Sequence, residues 1–297
     1  MTRPRLLVTG GSGQVGTALA ERSAGGPELL LPPRAEFDLV SEESMDSWFS
    51  RHRVDAVINA AAYTAVDRAE EQSAEAWAVN ADGPGALAAR CARLGVPMIH
   101  LSTDYVFDGS KPGFYAEDDP VAPINAYGAS KEAGERAVRA SGARHLILRT
   151  AWVMSPWGSN FARTMIRLGA ERPELRIVDD QLGSPTGAID IADAAMRLAA
   201  RLAEDADAPA GTYHFVNSGQ ASWYDVASAI FEAAARHGRP APALIPIASS
   251  EYPTPARRPA NSRLDSGKLR RDYGIDPRPW REAVDEIVGR ILAAPVG

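Results

Sequence analysis

The segment Gly10-Gly11-Ser12-Gly13-Gln14-Val15-Gly16 constrains the fold more than any other. It follows a short apolar run, residues 5–9, and opens a helix-forming stretch from about Gln14 to Arg22. Gly10 permits a tight turn, Gly13 lets backbone approach a pyrophosphate, and Gly16 allows close helix–sheet packing. The helix N-terminus would present N–H groups and a positive dipole to phosphates. Glycines at this spacing are a weak signal alone, and a plain packing turn is the competing reading. The strand before and the helix after favour the phosphate cradle.

The rest of the chain fits that start. Short apolar runs at 28–31, 54–59, 96–101 and 145–149 read as strands. Between them lie an alanine-rich helical stretch from about 69 to 94, broken near Gly83-Pro84-Gly85, and a helix over 126–140. Strands alternating with helices are the pattern of a doubly wound, mostly parallel α/β sheet. Beyond Arg149 the pattern loosens into helices near 158–168, 190–202, 223–235 and 283–292, with strands near 175–178 and 211–216. A first domain over 1–150 and a smaller α/β domain over 151–297 are expected, the chain returning to the sheet around 183–216. The Pro/Arg-rich stretch 253–259 reads as a constrained loop.

A chain of 297 residues can bury a core without disulfides or a structural metal. Its single cysteine, Cys91, excludes an intramolecular disulfide and sits in a helical stretch, as a packed thiol would. With 32 basic against 38 acidic residues the net charge is -6, which argues against nucleic acid as the main partner. No apolar run reaches the roughly 18 residues of a spanning helix, and no signal-peptide h-region follows Met1, so no membrane partner and a cytoplasmic location are expected.

Thr103, Tyr127 and Lys131 are the candidate catalytic residues. Tyr127 and Lys131 lie four apart near a helix start, hence on one face, in a chain with only three lysines. An ammonium beside a phenol would lower its pKa from about 10 and make it a usable acid. Thr103 closes an apolar strand, where its hydroxyl could meet the same carbonyl oxygen. Arg34, after the second strand, suits a 2′-phosphate and hence NADPH, whereas Glu36 and Asp38 suit the free ribose of NADH. A solvent-facing arginine is the bland alternative.

The chain resembles the extended short-chain dehydrogenase/reductases and, within them, the dTDP-4-dehydrorhamnose reductases. The resemblance rests on the glycine segment, NAAAYTAVD at 59–67, STDYVFDG at 102–109, YGASK at 127–131, RTAW at 149–152, GSNF at 158–161, DQLGSPT at 180–186 and PARRP at 255–259. It spans nearly the whole length; the first and fourth segments mark only the superfamily. It implies a Rossmann-like sheet, a C-terminal substrate-binding domain, and reduction by NADPH or NADH of the C4 ketone of a dTDP-4-dehydro-6-deoxy sugar. Tyr127 would protonate the oxygen, Lys131 would hold the nicotinamide ribose, and Thr103 would complete the triad. The same resemblance lays Gly10, Gly13, Gln14, Val15, Asp38, Leu39, Ala60, Ala61, Tyr63 and Asn80 along the cofactor. It lays Asp104, Tyr105, Trp152, Asn160, Phe161 and Arg257 along the dTDP-sugar.

Each of these has a plainer reading: Trp152 as a core aromatic, Asp104 as a cap of the following turn, Asp67 with Arg68 as a solvent-facing pair. Arg257 and Arg258 would suit a diphosphate or a surface salt bridge. Some members of the family bind Mg2+ at a dimer contact through a glutamate soon after the glycine motif. Gly16-Thr17-Ala18-Leu19 has alanine there, which argues against a cation site and against that dimer mode; monomer and homodimer both fit. Two alternatives stay open: a reductase of a different dTDP-keto sugar, and a non-catalytic NADP-binding regulatory subunit.

Overall fold

The computed structural model describes residues 3–293. Met1, Thr2 and residues 294–297, with the expected domain limits at 1 and 297, lie outside them. Five strands, β1 (Arg5–Thr9), β2 (Glu28–Leu30), β3 (Ala56–Asn59), β4 (Met98–Thr103) and β5 (His145–Thr150), join Gly211–His214 in one six-stranded sheet. Its order is 211–214, β5, β4, β3, β1, β2, and every pairing is parallel. The chain steps outward from β1 to β2, then returns to β3 on the other flank of β1. That reversal opens a crevice at the carboxyl end of β1, the place where ligands bind in such sheets.

The inner strands β1, β3, β4 and β5 are buried on both faces, and their alternation assigns each side chain to a layer. Leu6, Val8, Ile58, Ile99, Leu101, Leu146 and Leu148 pack with Ala18 and Leu19 of the helix Gln14–Arg22 and with Ile191, Ala195 and Leu198 of the helix Ala188–Glu204. Leu7, Val57, Met98 and Ile147 point the other way, onto Met45, Trp48, Leu87, Cys91 and Val138. Each fully buried Leu or Ile contributes about 1.5–3 kcal/mol, so both layers hold the sheet. Cys91 lies in this second layer with no exposed surface.

The expected break near Gly83-Pro84-Gly85 is not a break. A five-residue π-helical turn, Ala78–Asp82, carries the chain directly into the helix Gly83–Leu94. Pro84 sits in that helix's first turn, where its missing N–H costs nothing. The polar helix Glu42–Arg51, capped by Ser41, escapes sequence pattern because it buries only Met45 and Trp48.

The remaining residues build a second core. The helices Phe161–Glu171, Trp223–Arg236 and Trp280–Ala293 pack around the parallel pair Glu174–Val178 and Ala243–Ile247. The helix 188–204 and the strand 211–214, between these pieces in the chain, belong instead to the large sheet. Among the described residues no helix is long and apolar enough to cross a membrane.

Candidate active site

A cleft of about 860 Å³ opens at the carboxyl ends of β1, β3, β4 and β5. Gly10, Gly13, Gln14, Val15, Arg34, Asp38, Leu39, Ala60, Ala61, Tyr127 and Lys131 all line it. Gly10 has φ +71°, and a Cβ there would stand 2.6 Å from the Ala61 nitrogen, so main chain meets main chain at the floor. Gln14 accepts a hydrogen bond from Ser155 Oγ at 2.8 Å, tying the glycine turn to the far wall. Arg34 Nε lies 3.4 Å from Asp38 Oδ2, with the arginine side chain 77% exposed, so one carboxylate and one guanidinium share the outer end.

Two expected cofactor residues stand behind the cleft. Asn80 is fully buried; its Oδ1 accepts from Tyr63 N at 2.8 Å, and its Nδ2 donates to Tyr63 O and Ser130 Oγ, each at 3.0 Å. It therefore clamps the loop after β3 onto the helix Ala126–Ala140. Tyr63 turns its hydroxyl to Gln72 Oε1, 2.6 Å away. Neither side chain lines the cleft, so both hold its wall in place.

Asn125 caps the helix 126–140 by accepting from Gly128 N at 2.7 Å. A Cβ on Gly128 would stand 2.1 Å from Tyr105 O, so only glycine lets the helix start settle on the turn Asp104–Val106. That approach brings Tyr127 to Thr103 at the end of β4. Lys131, one turn on and 2% exposed, donates to Leu101 O at 2.7 Å. The expected depression of the Tyr127 phenol by Lys131 is not found. Burial pushes Tyr127 up to about 12, with a hydrogen bond to Thr103 opposing it. Burial brings Lys131 down to about 8, against the pull of Glu135. The phenol is thus protonated at neutral pH, as a proton donor must be.

Of the residues expected along the sugar, Trp152 and Phe161 meet on a third aromatic that sequence reasoning did not single out. Trp152 stacks on Trp223 at 3.7 Å and 8°, and Phe161 tilts against the same indole at 4.7 Å. Trp152 has φ +47°, the one non-glycine residue with positive φ among those described. Tyr105 meets Tyr127 edge-on at 5.5 Å. Asn160 caps the helix 161–171 through Arg163 N and donates to the Ser155 and Trp157 carbonyls, so its amide organises this loop.

Two further expectations also change. Asp67 pairs with Arg258, not Arg68, through bonds of 3.0 and 2.8 Å. That engagement leaves Arg257 as the exposed cation of the loop, its carbonyl held by Asn125 Nδ2 at 2.8 Å. Asp104 does not cap the turn that follows it; the Thr103 hydroxyl does, accepting from Tyr105 N at 3.2 Å. Asp190 and Asp193, the acidic residues on the helix 188–204, are paired with Arg278 at 2.7 Å and Arg22 at 2.9 Å.

The family model described as the RmlD substrate binding domain matches residues 4–292. A dTDP-4-dehydrorhamnose reductase of Sinorhizobium fredii is 45% identical over 289 residues, covering 97% of this chain and 98% of its own. The chain belongs to the dTDP-4-dehydrorhamnose reductase family. A reductase of that name from Burkholderia thailandensis is 44% identical over 97% of this chain and 99% of its own. Among solved structures, the Bacillus anthracis reductase, in complex with NADP, superposes with a TM-score of 0.88 at 33% identity, covering 96% of this chain and 99% of its own. The Clostridium acetobutylicum enzyme gives 0.89 at 35%, covering 97% and 99%. The doubly wound sheet with its smaller C-terminal domain is the architecture of this reductase family.

Sequence reasoning missed several cleft residues of this reductase fold. Ser102 and Thr150 line the floor from the ends of β4 and β5, and the hydroxyl of each is buried without a hydrogen-bond partner. Unpartnered buried hydroxyls at a cleft floor suit a ligand's polar groups. With the backbone cradle at Gly10, they show that the residues present fit a dinucleotide. Their position one residue to either side of a motif residue or at a strand end was the available signal.

Proposed function

We infer that the protein is an NAD(P)H-dependent oxidoreductase that reduces the C4 ketone of dTDP-4-dehydro-6-deoxy-L-mannose to give dTDP-L-rhamnose. The observation that carries this reading is that one cleft is lined both by the glycine turn, residues 10–15, and by Tyr127 with Lys131. It supports a proton donor and a dinucleotide site in one cavity.

The reduced nicotinamide supplies a hydride when bound. Gly10, Gly13, Gln14 and Val15 would hold its phosphates, and Arg34 with Asp38 would meet the adenosine ribose. Tyr127 protonates the C4 oxygen as charge develops on it. Lys131, with its ammonium oriented by Leu101 O, stabilises the phenolate left behind and holds the nicotinamide ribose. Tyr105, Trp152 and Phe161 would bound the sugar, and Arg257 would meet the diphosphate. A reduced nicotinamide requirement suits a cytoplasmic enzyme.

Oxidation of NADPH and NADH at 340 nm with dTDP-4-keto-6-deoxyglucose, with and without a 3,5-epimerase, tests the reading, with NMR identifying the product. Turnover only with the epimerase, yielding dTDP-L-rhamnose, is expected. Turnover to another sugar would keep the mechanism and move the substrate; no oxidation with bound NADPH would favour a regulatory subunit.

A further inference from the structure

The segment DQLGSPT at 180–186 lines no part of the cleft, and no step of the reduction uses it. Three of its residues converge on Trp152 instead. Thr186 N donates to Trp152 O at 3.2 Å, next to the parallel pairing of Val153 with Thr186. Gly183 lies against the indole: a Cβ there would stand 2.3, 2.5 and 2.7 Å from its Cε2, Cζ2 and Cδ2. Gln181 Oε1 accepts from Trp223 Nε1 at 3.2 Å, and so sets the ring on which Trp152 stacks at 3.7 Å and 8°. The Gln181 amide is fixed in turn. Its Nε2 donates to Ser249 Oγ at 2.9 Å, and Ser249 N donates to the Asp180 carboxylate at 2.9 Å.

Trp152 needs such holding. Its φ of +47° lies in the left-handed region, which a bulky aromatic rarely adopts. A strained residue persists only where its surroundings over-determine it, and such residues gather at ligand sites. Here the carbonyl is bonded, one side of the ring meets main chain and the ring has a stacked partner. Trp152 is nonetheless only half-buried, so a ring held this firmly is not held merely to fill a core.

We propose that Gly183 and Gln181 are positioning residues for substrate binding: they hold the strained Trp152 indole in the one orientation in which it bounds the hexose ring. Gly183 does so by leaving room for the indole, and Gln181 by fixing the Trp223 ring beneath it. The inference rests on the reductase reading above, in which Trp152 meets the sugar, and adds two residues that act only through that side chain.

The test is calorimetric binding of dTDP-L-rhamnose and of dTDP to the full-length protein with NADPH present, where no turnover can occur, alongside steady-state kinetics. Wild type is expected to prefer dTDP-L-rhamnose to dTDP. Gly183→Ala pushes the indole aside; it should abolish that preference and raise KM for the dTDP-sugar by about tenfold or more, with dTDP and NADPH affinity kept. Gln181→Leu, which removes the bond to Trp223, should raise KM by about two- to fivefold. In a Trp152→Ala background neither substitution should raise KM further, because the side chain through which both act is gone. A merely structural role would lower the melting temperature and leave the losses additive. Melting curves identify a Gly183→Ala that fails to fold, and the Gln181→Leu cycle then decides. A sugar preference that survives in both variants, or losses that add fully to that of Trp152→Ala, would overturn the inference alone. A wild type with no preference for dTDP-L-rhamnose over dTDP would overturn the assignment of Trp152 to the sugar, and this inference with it.

Discussion

The two ends of the site are built from different materials. Toward the end proposed for the nucleotide the wall is largely main chain, with Gly10 against Ala61 and the loop after β3 clamped by Asn80. Toward the end proposed for the sugar it is made of side-chain contacts between distant segments: Trp152 on Trp223, Asp67 with Arg258, Asn125 on the Arg257 carbonyl. A backbone wall tolerates few substitutions because it has no slack. A wall of paired side chains can be altered one partner at a time, which is how a shared scaffold comes to serve different substrates.

The sharpest way to break that comparison is at the boundary between the two ends. Tyr127→Phe should lower turnover by about 10²- to 10⁴-fold, because it removes the proton donor and little volume. NADPH affinity, measured by fluorescence titration, should not change. Near-normal turnover in this variant would mean another group gives the proton.

Gly10→Ala probes the backbone wall. The new Cβ would fall 2.6 Å from Ala61 N at a φ of +71°, a conformation that alanine adopts at a cost of about 1–2 kcal/mol before any clash. Cofactor affinity should weaken at least about tenfold, with the sugar site intact by dTDP binding. Equal losses at both ends would show that the walls are not independent.

These contrasts also explain what the sequence made readable. The glycine turn, the strand-helix alternation and the spacing of Tyr127 and Lys131 are local features, and local spacing survives in one dimension. The helix 126–140 and the cradle could be read from residues a few positions apart. Trp223 could not, because nothing near position 223 signals that Trp152 and Phe161 converge on it. Asn80 and Asn160 were singled out as contacts by resemblance, yet their amides hold loops; chemistry-bearing residue types do not reveal which way they face. The Tyr127 pKa went wrong for a related reason. Adjacency to Lys131 is visible in sequence, whereas the burial that outweighs it is a property of the packed site.

pH gives a third probe. Lys131, lowered to about 8, loses its charge as pH rises through that value, so kcat/KM should decline on the alkaline side. The sign follows from the group: the protonated form, which would hold the ribose and steady the phenolate, is present below about 8. Lys131→Arg should move the limb beyond the measurable range while slowing turnover, since a guanidinium keeps its proton. A limb left at the same pH would belong to another group.

On the sugar side the effects should be smaller and selective. Trp223→Ala removes the surface on which Trp152 stacks, a contact worth about 0.5–1.5 kcal/mol beyond area burial. KM for the dTDP-sugar should rise several-fold, with a smaller change in kcat and none in NADPH affinity. The near-ultraviolet circular dichroism of the stacked indoles should be lost in the same variant. A pure core role would lower thermal stability and leave KM alone.

Arg258→Ala is the mildest. Its partner carboxylate on Asp67 is 40% exposed, so solvent screens the pair and its loss should cost about 1 kcal/mol or less of stability. The consequence to measure is local. Arg258, through Asp67, and Asn125, through the Arg257 carbonyl, together anchor the loop that carries Arg257. Releasing one anchor should loosen that loop, raise KM for the dTDP-sugar by about two- to fivefold and leave kcat unchanged, because uniform binding is lost and no transition-state contact is. Asp67→Ala, which also frees the Ala256 N–H that it accepts at 3.2 Å, should do at least as much, and the double variant should fall short of the sum of the two, since both changes remove the Asp67–Arg258 pair. Additive losses in that cycle would mean Asp67 and Arg258 act on the substrate separately, and the sugar-side wall would then be less a set of pairs than the structure makes it.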